Sequence, residues 1–237
     1  RDVLGSRGLG DVYKRQMQSR AHELIAATVV SIDPERGNIV LDLGKGGSAV
    51  LPRNEQVPGE TFTEGQTVQV YVVDVLATDR GPRVTISRTH PGLVKRMFEL
   101  EVPEIYDGTV EVKAIAREAG ARTKLAVWSK NPDVDPVGAC IGARGARVEK
   151  IVQELNGEKI DVIRWSEDIT EFISAALSPA KVVKVELLPG ETKSCRVTVP
   201  DHQLSLAIGN KGQNVRLCAH LTGYNLSLIH ISEPTRP

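Results

Sequence analysis

The sequence predicts an α+β protein in which a five-stranded β-barrel is followed by two copies of a mixed helix–strand module. Three observations carry this. Residues 27–87 are dense in short β-branched runs separated by turn residues. The stretches 92–165 and 166–226 alternate strand and helix patterns in one order. A single glycine-containing string recurs in those two stretches at a fixed spacing.

The β-branched runs come first. Ala27–Ile32, Asn38–Leu43, Ser48–Leu51, Thr67–Leu76 and Arg83–Ser87 read as strands. Asp33-Pro34-Glu35-Arg36-Gly37, Gly44-Lys45-Gly46-Gly47 and Arg80-Gly81-Pro82 read as turns between them. Five short strands in one compact stretch suit a small closed barrel of the OB type, spanning 22–88. Thr67–Leu76 is the longest run, and a strand of that length bends so as to serve both sides of such a barrel.

The pattern then changes. Leu93–Glu101 reads as a helix, and Val110–Ala116 and Thr123–Trp128 as strands about a hairpin at 117–122. Pro136–Ile141 and Ala146–Leu155 read as helices; Val148, Ile151, Val152 and Leu155 fall on one helical face. Lys159–Arg164 is a strand. After an amphipathic helix at Asp168–Leu177, the order repeats: strands at Lys181–Leu188 and Ser194–Val199, helices at Leu204–Ile208 and Asn214–Leu221, and a strand opening at Tyr224–Leu226.

The repeated string sits between the paired helices. Ile141-Gly142-Ala143-Arg144-Gly145-Ala146-Arg147-Val148 answers Ile208-Gly209-Asn210-Lys211-Gly212-Gln213-Asn214-Val215, with equivalent positions 67 residues apart (142 to 209, 148 to 215). This is the I-G-x-x-G signature of KH modules, here of type II, the prokaryotic arrangement. Glycine gives the backbone freedom that two helices meeting at a sharp angle need, and it removes the Cβ that would hold a partner off. The helix after the loop offers its first N–H groups to a phosphate, and such a loop clamps the backbone of four nucleotides. The expected RNA contacts are Gly142, Ala143, Arg144, Gly145, Arg147 and Lys150 in the first module. In the second they are Gly209, Asn210, Lys211, Gly212, Gln213 and Arg216. Val137, Ile141, Val148 and Ile163 are expected to build one base groove, and Leu204, Ile208 and Val215 the other. Asp at Gly142 and Gly209 is expected to abolish RNA binding without unfolding the chain.

Charge is neutral overall, 30 basic against 30 acidic residues, so a global basic bias toward nucleic acid is absent. Locally, Arg144, Arg147 and Lys150 face one acid, Glu149, between residues 138 and 150, and Lys211 and Arg216 face none between 202 and 216. Cys140, Cys195 and Cys218 form no C-x-x-C pair and are odd in number, which favours a reducing cytoplasm over a disulfide scaffold. Cys140 reads as a buried small residue. His22, His90, His202, His220 and His230 make no metal-ligand spacing, so no metal and no cofactor is expected. No nucleophile elbow, Walker loop or paired carboxylate is present, so no enzymatic activity is expected. No apolar run of membrane-spanning length occurs. Phe62 and Tyr71, the aromatics of the barrel, read as structural rather than as stacking platforms.

The strings Asp135–Val148, Gly157–Ile163 and Ala207–Leu217 resemble the two KH modules of the NusA family, and Glu101–Ile105 resembles that family's junction between barrel and KH region. Leu41-Asp42-Leu43-Gly44 and Ala49-Val50-Leu51-Pro52 resemble its OB-fold of the ribosomal S-one type. The resemblance covers residues 22–226. It implies a bacterial cytoplasmic factor, monomeric, that binds single-stranded nascent RNA and RNA polymerase and modulates pausing, termination and antitermination. The family's N-terminal polymerase-docking domain is expected to be missing from this sequence. Residues 1–16 and 227–237 read as non-native tails. Two alternatives stay open: an accessory region of an RNA-processing enzyme such as polynucleotide phosphorylase, which places one KH module before its barrel, and a protein-interaction scaffold whose glycine loops bind nothing.

Overall fold

The computed structural model describes residues 12, 15, 18, 20–45 and 47–232. Most of the tail read at 1–16, and the end of that read at 227–237, lie outside the described residues. The chain divides into two compact units, 1–97 and 98–237.

The first unit is the barrel. Strands β1 (Leu24–Ile32), β2 (Ile39–Gly44), β3 (Gly47–Leu51), β4 (Thr67–Thr78) and β5 (Gly81–Ser87) form one antiparallel sheet in the order β3-β2-β1-β4-β5. Alternation along each strand sends Ile25, Ala27, Val29, Ile39, Leu41, Leu51, Val70 and Ile86 into one core. β4 bends as its length requires. Thr67–Tyr71 pair with β1, Tyr71–Thr78 pair with β5, and a register shift between Val72 and Asp74 resets the inward face from Val72 to Val75. Phe62 packs on the core. Tyr71 is buried, stacks on His90 with centroids 4.6 Å apart, and its hydroxyl meets His22 Nδ1 at 3.1 Å. Both aromatics are therefore structural. At the β2–β3 junction Gly44 pairs with Gly47, and Lys45 has φ 51.

The second unit holds both helix–strand modules. Helix α1 (Pro91–Glu101) enters it, followed by the short α2 (Pro103–Tyr106). β6 (Val110–Glu118) and β7 (Arg122–Ser129) form an antiparallel hairpin, and β8 (Lys159–Arg164) joins β7 in parallel after α3 (Pro136–Ile141) and α4 (Ala146–Glu154). α5 (Ile169–Ala176) links this to the second copy. There β9 (Lys184–Leu188) and β10 (Ser194–Pro200) pair antiparallel, and β11 (Asn225–Ile231) joins β10 in parallel after α6 (Leu204–Ile208) and α7 (Gln213–Thr222). β11 runs on past Leu226, where the sequence pattern fades. The four-residue α2 escapes the sequence reading because it is too short to show a period; Pro103 at its first position starts it.

The two modules share a core. Ala116, Ala126 and Ile163 of the first sheet pack with Phe172 and Ile173 of α5 and with Val197, Leu217 and Cys218 of the second module. α7 lies against β6 and β7, and Asn214 Nδ2 on α7 donates to the Leu177 carbonyl at 3.0 Å. The glycine loops therefore stand on one continuous body.

Candidate nucleic-acid interface

Each glycine loop is set up by the helix before it. In the first module the Asp135 carboxylate caps α3 by accepting from the Val137 N–H at 3.1 Å, with Pro136 at the first turn. α3 ends when Gly142 turns to φ 77, ψ 176; α6 ends in the same way at Gly209, φ 76, ψ 175. The loop tips then take left-handed backbone at Arg144 (φ 54, ψ 30) and Lys211 (φ 54, ψ 32). Gly145 (φ 75, ψ 12) and Gly212 (φ 74, ψ 12) open the following helices. Two sequences that differ at four of eight positions thus adopt one backbone, position for position.

That backbone leaves an anion-ready mouth. Neither Gly145 nor Gly212 supplies a capping side chain to α4 or α7, so their first-turn N–H groups keep no side-chain acceptor. Arg144 and Lys211 are exposed, and among the described residues no side-chain hydrogen bond or ion pair engages either. Ala143 and Asn210 are exposed beside them.

The other cations are held. Arg147 donates to the Glu104 carboxylate at 2.9 Å and to the Ala139 carbonyl at 2.7 Å. Lys150 pairs with Glu101 at 3.0 Å, which holds its ammonium pKa above the ordinary lysine value. Arg216 donates to Glu118, and Gln213 donates to the same carboxylate at 3.0 Å. These bonds, that from Arg216 foremost, hold the Glu118 carboxyl below its ordinary range. Counting charge along the chain misses all three acids, because Glu101, Glu104 and Glu118 are 43 to 98 residues from their partners. Among the described residues the free positive charge at each loop is therefore one side chain, Arg144 or Lys211, not three or two.

The first glycines do a different job from the one their sequence suggests. A Cβ on Gly209 would sit 2.7 Å from the backbone nitrogen of Asn214, and a Cβ on Gly142 would sit 2.7 Å from Cγ of Arg147. The close approach is made by the residue five positions on, within the protein itself. Asp at these two positions would therefore strain the fold, contrary to the sequence expectation. Gly145 has open space above it, and a Cβ on Gly212 would make only an ordinary contact, 3.9 Å from Nη1 of Arg216. The residues five positions on also brace the loop: Asn214 Nδ2 donates to the Ala207 carbonyl at 3.1 Å as Arg147 does to that of Ala139.

Val137, Ile141, Val148, Leu204 and Val215 are half-buried, and Ile208 is 37% exposed, so these apolar side chains border the loops. Ile163 does not join them. It is 2% exposed and packs in the shared core against α5. Successive strand residues face opposite sides, so the neighbours of Ile163, Val162 among them, turn to the side of the sheet covered by α3 and α4.

Three family models match in the order the fold displays. An S1 RNA binding domain covers residues 19–87, a NusA-like first KH domain 88–165 and a NusA-like second KH domain 169–236. The transcription termination/antitermination protein NusA of Mycobacterium tuberculosis is 45% identical over 243 residues, covering 100% of this chain and 68% of that protein. The chain belongs to the NusA family. NusA of Halalkalibacterium halodurans is 57% identical over 195 residues, 82% of this chain and 50% of that protein; NusA of Bacillus subtilis is 55% identical over 219 residues, 92% and 58%. The chain thus spans between half and about two thirds of the length of these NusA relatives. No described helix is long and apolar enough to cross a membrane.

Proposed function

We propose that this chain is the transcript-binding region of a transcription termination/antitermination factor, working as a monomer in the cytoplasm and in company with RNA polymerase. Single-stranded RNA would lie with its phosphates over the two loops, Gly142–Gly145 and Gly209–Gly212. Arg144 and Lys211 make the first ionic contacts, and unstacked bases rest on Val137, Ile141 and Val148, then on Leu204, Ile208 and Val215. Arg147, Lys150, Gln213 and Arg216 contribute by orienting the helices behind the loops, each through its carboxylate partner.

The observation that carries this reading is the duplicate loop: one uncommon backbone, built twice around one shared core, each copy leading into an uncapped helix and bearing a free cation. A scaffold role would not require Arg144 and Lys211 to hold matching left-handed conformations in solvent. The test is a titration of single-stranded and double-stranded RNA of equal length at moderate salt. Preference for the single strand supports the reading. Equal or absent binding rejects it.

A further inference from the structure

The chain's two tryptophans meet at one corner of the first KH module. Trp128 lies near the end of β7 and Trp165 just beyond β8, with ring centroids 6.4 Å apart and planes at 81°. The Lys113 ammonium stands 4.6 Å from the Trp128 ring centre and 5.1 Å from that of Trp165. Both indoles are only half-buried, and with Arg164, Glu167 and Glu171 they line a cavity of about 500 Å³. The corner is on the side of the sheet away from α3 and α4. Ala126 packs toward α5, Trp128 two residues on faces the same way, and the cavity wall includes Glu171 of α5. The glycine loops make no use of it.

The lining selects a ligand class. Open indole surface calls for a flat face to stack on. The cation position over both rings is filled by Lys113, so a lysine or arginine side chain of another protein would meet like charge there. Arg164 and Glu167 are exposed, and among the described residues neither side chain has a hydrogen-bond or ionic partner. A flat uncharged ring with N–H donors on its edge and an anionic group attached satisfies all of these. We infer that the Trp128–Trp165 corner stacks one unpaired nucleobase of a single-stranded RNA, with Arg164 taking the adjoining phosphate and Glu167 the donor edge of the base. This rests on the RNA-binding reading above and adds a contact on the far side of the edge strand β8.

Because both tryptophans sit here, intrinsic tryptophan emission reports on this corner alone. The full chain is titrated with an end-labelled, mixed-sequence single-stranded RNA while label anisotropy and tryptophan emission are followed together. Saturable quenching is expected, with the midpoint seen by anisotropy. Trp128→Ala is expected to weaken binding about tenfold and Arg164→Ala about fivefold; the second change touches only an exposed side chain and leaves the thermal midpoint in place. RNA binding by anisotropy with tryptophan emission unmoved, or with Arg164→Ala at full affinity, overturns this inference and leaves the glycine loops standing. No binding by anisotropy overturns the RNA reading and this inference with it.

Discussion

Glu118, at the end of the first module's hairpin strand, accepts a hydrogen bond from Arg216 on the helix behind the second module's glycine loop. One carboxylate thereby ties the hairpin of one module to the nucleic-acid face of the next. Its pKa is depressed below the ordinary glutamate value in the folded chain, foremost by that bond. A carboxyl of this kind stabilises the fold fully above its unfolded value and loses the contribution as pH falls through the lower folded value. Glu118→Gln is expected to lower the thermal midpoint at neutral pH, and its gap to the parent chain to narrow as pH falls through the depressed folded value. Melting curves of the two proteins over a descending pH series check this.

The two glycines of each loop are expected to differ. At Gly212 an added methyl makes only an ordinary contact with Arg216 Nη1 at 3.9 Å and costs the left-handed backbone penalty, about 1 kcal/mol. At Gly209 the same methyl also runs into the Asn214 backbone nitrogen at 2.7 Å, raising the cost to about 3 kcal/mol. Urea denaturation of Gly209→Ala and Gly212→Ala should separate them by more than the error of the method. Equal costs would show that the loop relaxes around the intrusion.

Asn214 is fully buried and bonds the Leu177 and Ala207 carbonyls, so it joins α7 both to the inter-module link and to the helix before the loop. Asn214→Ala is expected to destabilise the chain by about 2 kcal/mol, since the Ala207 carbonyl loses its side-chain donor and the Leu177 carbonyl keeps only the Ala180 N–H. Denaturation by urea gives the number.

The three cysteines are buried, and burial pushes the thiols of Cys140 and Cys218 up to about 12 and that of Cys195 above its usual value. Only the thiolate reacts. The folded protein is expected to resist a thiol reagent at about pH 8, and the denatured one to react at all three sites. Rapid labelling of the native chain would mean that the shared core opens.

Much of this was legible in the chain because local chemistry repeats itself. Pro136–Ile141, Lys159–Arg164 and Leu204–Ile208 form over the residues their patterns mark, since caps, β-branching and glycine punctuate them. The duplicated loop was visible because equivalent residues recur at constant spacing. What escaped depends on contacts between distant elements. Ile163 reads as a groove residue in the sequence because an edge strand's apolar residues do not announce which face the helices cover. The carboxylates that hold Arg147, Lys150 and Arg216 come from other elements, and no linear count of charge can find them.

The central claim is that the free cations at the two loop tips make the ionic contact with RNA. Both already occupy left-handed backbone with a Cβ, so Arg144→Gln with Lys211→Gln removes charge without new strain. The deciding measurement is the slope of log Kd against log salt for single-stranded RNA, in the parent and in this double variant. The slope is expected to fall by about 1.4 and the affinity by about tenfold, with the thermal midpoint unchanged. An unaltered slope and affinity would contradict the account.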